Sequence, residues 1–116
     1  MILDIVSTIG ENCITIEDGE KVFAIIHPEL VQGHEVTLDF TEVKIFASPF
    51  FNIAIGQLLS DVQFRNLQSN LHIVGLSQHG YYVLNRVIEN AQRYYSNTPR
   101  FRDSVQKVIV QQANDL

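Results

Sequence analysis

Val36-Thr37-Leu38-Asp39-Phe40-Thr41-Glu42-Val43, followed at Ala47 by Ala47-Ser48-Pro49-Phe50-Phe51-Asn52-Ile53-Ala54-Ile55-Gly56-Gln57-Leu58, is the stretch that decides the fold. Its first part alternates, with Val36, Leu38 and Phe40 on one side and Thr37 and Asp39 on the other. A period of two predicts a strand over 35–40 with one face on the core. In the second part the period changes. Phe50, Ile53, Ala54, Gln57 and Leu58 recur at helical spacing, which predicts a helix over about 49–60. Ser48 just before Pro49 reads as an N-cap followed by the residue whose fixed φ suits a first helical turn.

Upstream, Ile2-Leu3-Asp4-Ile5-Val6 is short, apolar and β-branched and reads as a first strand. Gly10-Glu11-Asn12 makes a turn, and Cys13-Ile14 starts a brief return strand that can pair with the first as an antiparallel hairpin. Thr15 reads as a helix N-cap, with Glu17, Asp18 and Glu20 placed where a helix favours negative charge. Val22, Ile25 and Ile26 share one face of that helix. Pro28 is expected to kink or restart it, and Gly33 to end it.

Downstream, residues 61–70 are polar, with a short helical turn expected around Val62 to Leu67. Leu71-His72-Ile73-Val74-Gly75-Leu76 reads as another strand, and Ser77 caps a long helix. Its core stripe is Leu84, Val87, Ile88, Ala91 and Tyr95, with Asn85, Arg86, Glu89 and Arg93 outside. Ser96-Asn97-Thr98-Pro99 repeats the cap-plus-proline signal before a last helix carrying Phe101, Val105, Val108 and Ile109. The order is β-β-α-β-α-β-α-α, an α/β chain without repeat or linker. Helices alternating with strands imply parallel pairing through crossovers. The expectation is one mixed sheet of four to five strands packed by helices.

With 116 residues, 46% of them hydrophobic, the chain fits a single domain spanning 1–116 with a core of its own. A lone cysteine, Cys13, allows neither an internal disulfide nor a multi-thiolate zinc site, and its ordinary role is a small buried hydrophobe. The N-terminus lacks a basic start, and the apolar run from Ile45 to Gly56 is too short for a membrane helix. A cytoplasmic protein with no membrane role is expected. Residues 1–61 carry ten acids and two bases, residues 62–116 three acids and six bases. The formal charge of −5 argues against nucleic acid as partner.

No residue pattern supports catalysis. His27 and His34 are seven apart, as are His72 and His79, and no pair has the i, i+4 spacing of two metal ligands on one helix. The six glycines are scattered and form no phosphate loop. Ser48 lies between Ala47 and Pro49, without the flanking glycines of a nucleophile elbow. No metal, cofactor or catalytic residue is therefore expected. Ser48 remains the residue to single out, because a hydroxyl at a strand-to-helix junction can cap the helix, accept a phosphate or sit beside a bound anion. Asp39, at the end of its strand, is a solvated acid or a partner contact. The tandem Phe50-Phe51 cannot place both rings on one core stripe, which leaves homo-oligomerisation open.

The strand ending in Leu38-Asp39-Phe40, the turn ending at Val43, the Ala47-Ser48-Pro49 junction and the Ala54-to-Gly56 apolar run together resemble the STAS-like branch of the STAS domain family. Its best-known members are bacterial anti-sigma-factor antagonists. The resemblance runs across roughly residues 1–95. It implies a non-catalytic bacterial regulatory module that docks a GHKL-type ATPase or kinase, or another signalling protein. The family's Asp-Ser-Ser junction falls on Ala47, Ser48 and Pro49, so the usual phospho-acceptor position is Pro49 and Ser48 matches the neighbouring serine. The partner-binding surface implied is Asp39, Ala47, Ser48, Pro49, Phe51 and Asn52. The alternative is a small-molecule or nucleotide sensor using the helix start at Ser48 as an anion site.

Overall fold

The computed structural model describes residues 1–96. The expected last helix, with Phe101, Val105, Val108 and Ile109, lies outside the described residues. The chain order is β1 (Ile2–Asp4), α1 (Ile5–Ile9), β2 (Asn12–Cys13), α2 (Ile16–Val31), β3 (Val36–Asp39), β4 (Ile45–Phe46) and α3 (Ser48–Ala54). A 3₁₀ turn (Gly56–Ser60), α4 (Phe64–Asn70), β5 (Leu71–Val74) and α5 (Gln78–Tyr95) complete it.

The strands form two parallel sheets, one of three strands in the order β1-β3-β5 and one pairing β2 with β4. This corrects the single mixed sheet and the opening hairpin expected from sequence. The cause lies at Asp4, whose carboxylate accepts the Ser7 N–H at 3.4 Å and caps a helix where the apolar run predicted more strand. The Thr8 hydroxyl donates to the Asp4 carbonyl at 2.8 Å, and Gly10 closes the short helix at φ +98°. Ile5 and Val6 thus leave the strand. Once α1 has carried the chain away, β2 pairs with β4, Cys13 against Phe46.

Other boundaries follow the expected chemistry. Thr15 Oγ1 accepts the Asp18 N–H at 3.1 Å and starts α2. One expectation is corrected: α2 runs on through Pro28 as one helix, without the restart expected there. Pro28 removes one N–H from the ladder, opposite the carbonyl of Ala24, and both residues face solvent, where water can serve that carbonyl. The helix ends in a Schellman motif. Gly33 at φ +84° donates to the Leu30 carbonyl at 3.0 Å and His34 to that of Glu29 at 2.9 Å. Ser77 Oγ accepts the Gly80 N–H at 3.0 Å and opens α5.

The helix expected over 49–60 divides at Ile55 into α3 and the 3₁₀ turn. Gly56 stands at the break, where a Cβ would lie 3.3 Å from Val87 Cγ1 and 3.5 Å from Ala91 Cβ, so its bareness lets α5 close in. Val36 and Leu38 from β3 and the following Phe40 meet Val22 and Ile26 from α2, Phe50, Phe51 and Ala54 from α3, and Leu84 and Val87 from α5 in one core. The strict alternation of β3 is therefore real. Phe50 and Phe51 are both fully buried, stacked edge to face 5.6 Å apart. Neither leaves an aromatic patch at the surface.

Candidate functional site

β4 ends in the extended Ala47, the N-cap of α3, and Ser48 is the first helical residue rather than the cap. The Ala47 N–H donates to the Cys13 carbonyl at 2.9 Å, tying the junction to β2. Its carbonyl accepts from Phe50 and Phe51 at 3.1 and 3.4 Å. Pro49 has no N–H, so these bonds leave the Ser48 N–H as the one unbonded donor of the first three residues. The start of α3 is thus largely self-satisfied. The expected capping role of Ser48 is corrected: no side chain caps α3, and among the described residues the Ser48 hydroxyl has no hydrogen-bond partner.

Ser48 and the exposed Asn52, one turn on, face Tyr82, Val83, Arg86, Val87 and Asn90 of α5 across a cleft of about 260 Å³. The sequence pointed to its α3 wall and missed its α5 wall. Tyr82, Arg86 and Asn90 follow one another at i, i+4 and i+8 on the helix's polar face. That polar stripe was the available signal, overshadowed by the apolar stripe beside it. The Arg86 guanidinium donates to the Tyr82 hydroxyl at 3.1 Å and stands 6.0 Å from the ring centroid. The Asn90 side-chain oxygen accepts from Arg93 at 3.3 Å. His79 stacks on the Tyr82 ring with the centroids 6.4 Å apart.

The remaining residues singled out from sequence divide. Pro49 is exposed at the rim, and Ala47 is half-buried in backbone contacts. Phe51 is fully buried, so its expected place in the partner-binding set is corrected. Asp39 does not line the cleft. Its carboxylate accepts from the Thr41 hydroxyl at 2.6 Å and the Thr41 N–H at 2.9 Å, which hold its pKa below the ordinary carboxylate value. There it shapes the turn after β3, hard against Gly75.

Three histidines pair with carboxylates: His27 with Asp61 at 2.9 Å, His34 with Glu29 at 3.0 Å and His72 with Glu35 at 3.1 Å. Among the described residues no group of three or more His, Cys, Asp or Glu is gathered as for a metal ion. Nor, among them, is any helix long and apolar enough to cross a membrane.

The model of a family described as a STAS-like domain of unknown function (DUF4325) matches residues 18–81, from the first turn of α2 into the first turn of α5. The chain belongs to the STAS-like domain family. No curated protein and no solved structure matches it. The matched stretch contains most of α2, all of β3, the α3 junction and β5, and with Ser48 and Asn52 the whole α3 wall of the cleft. Arg86 and Asn90 fall beyond it, so the α5 wall of this STAS-like domain is described by its own residues alone.

Proposed function

We propose that this STAS-like domain is a non-catalytic regulatory module that docks a signalling protein, of the GHKL-type ATPase or kinase class, on the surface around the start of α3. Supporting that reading is one observation above others: Ser48, Pro49 and Asn52 are exposed on a helix that the fully buried Phe50 and Phe51 anchor in the core. A preformed surface of this kind loses little conformational entropy when a partner seats on it. Pro49 occupies the position where relatives of the anti-sigma-antagonist type carry their acceptor serine, and a proline has no hydroxyl to modify. Docking here is accordingly constitutive rather than switched by phosphate.

The test is to incubate the purified chain and its Ser48→Ala variant with GHKL-type ATPases and ATP, reading pull-down and intact mass together. Binding by both proteins without added mass is the expected outcome. A gain of one phosphate on the parent alone would make Ser48 an acceptor and replace the constitutive reading with a switch. Absence of binding would remove this partner class.

A further inference from the structure

We propose that the cleft between α3 and α5 is a binding site for a small phosphate monoester, anchored by Arg86. It does not depend on the docking reading, because the chain carries the whole site. Charge and donor placement point to an anion. Among the described residues Arg86 has no carboxylate within 4.0 Å, and no acid lines the cleft. A guanidinium whose hydrogen-bond partner among the described residues is one phenol is ready to form charge-assisted bonds.

The neighbouring groups are set as donors. Tyr82 uses an oxygen lone pair to accept from Arg86, which leaves its O–H to donate. Asn90 turns its oxygen to Arg93, which leaves its NH₂ to donate. The Ser48 hydroxyl is unengaged, and Asn52 brings a second amide from the facing wall. Donors thus come from two helices rather than one plane. That arrangement suits the several oxygens of a tetrahedral anion better than a flat carboxylate held edge-on.

Size and the adjoining charge restrict the ligand. At about 260 Å³ the cleft falls below the roughly 300–1,000 Å³ of pockets that enclose drug-sized molecules. A second cleft of about 480 Å³ continues along the same seam and shares Asn52 and Asn90, but Glu20 stands in its wall. A polyphosphate running from Arg86 past Asn90 would carry its further charges towards that acid. One phosphate on a small body is what the site admits.

The test is a titration of the isotope-labelled full chain with inorganic phosphate and with glycerol 3-phosphate, chloride holding the ionic strength constant. Expected are saturable NMR shifts at Ser48, Asn52, Arg86 and Asn90, with affinity weakened about tenfold in Arg86→Gln and measurably in Asn90→Ala. Both residues are exposed, and the same spectra report whether each variant is folded. Pyrophosphate is expected to bind no tighter than phosphate. Shifts that do not saturate, an unchanged affinity in Arg86→Gln, or tenfold tighter binding of pyrophosphate would overturn the assignment. Tenfold tighter binding of a phosphoserine peptide than of glycerol 3-phosphate would overturn the small-molecule source.

Discussion

Among the described residues three hydroxyl side chains stand at helix starts, those of Thr15, Ser48 and Ser77, and two of them act as caps. Thr15 and Ser77 each hold an N–H of the first turn, whereas the Ser48 side chain holds none. Thr15→Ala and Ser77→Ala are therefore expected to lower unfolding stability by about 1 kcal/mol each, and Ser48→Ala by less than about 0.5 kcal/mol, in denaturant titrations. A loss at Ser48 equal to the other two would show a capping contact in solution. Cys13 makes the opposite case, a reactive group made inert: burial, assisted by the charge of Asp18, pushes its thiol up to about 12. A thiol reagent at pH 8 should leave the native protein unlabelled and modify Cys13 only on denaturation. Asp39 carries a pH signature. Its pKa is lowered on folding, so its stabilisation is complete above the ordinary carboxylate range and is lost as pH falls through the lowered folded value. The stability gap between the parent and Asp39→Asn should therefore be widest near neutrality and close in acid.

At the scale of elements, sequence patterns located helices and strands better than they located where each one stops. The alternation of Val36, Leu38 and Phe40 and the caps at Thr15 and Ser77 were legible because each rests on one residue's own geometry. The turn of Ile5 into a helix was not, since the β-branched run masks the capping action of Asp4. Nor was the break at Ile55, which coincides with the approach of α5 from far downstream in sequence, at Val87 and Ala91. The α2–α3 contact is close at Gly19, where a Cβ would lie 2.9 Å from the Phe50 carbonyl and 3.0 Å from Ile53 Cβ. Gly19→Ala should destabilise by about 1–3 kcal/mol, although alanine is the better helix former by about 1 kcal/mol. A gain in melting temperature would mean that the two helices stand further apart. Phe51→Ala, which empties a fully buried site beside Phe40, Phe46 and Phe50, should cost about 3–5 kcal/mol.

For the whole molecule, what sequence could not supply was adjacency. Ser48 and Asn52 stood out from the α3 junction, but that Tyr82, Arg86 and Asn90 lie across from them follows from α5 folding back along α3. The same non-locality governs the sheets. An opening hairpin would have given the chain one strand pair between near neighbours in sequence. Instead Ile2 sits beside Thr37 and Thr37 beside His72, so each neighbour in the three-stranded sheet is 35 residues away. No pair of its strands can form until a helix-bearing crossover has been closed, at an entropic cost met before any hydrogen bond returns it. Closing those crossovers is therefore the expected slow part of building the sheet. A chain emerging from the ribosome cannot complete that sheet until His72 and its neighbours are free of the exit tunnel, however early β1 and β3 appear.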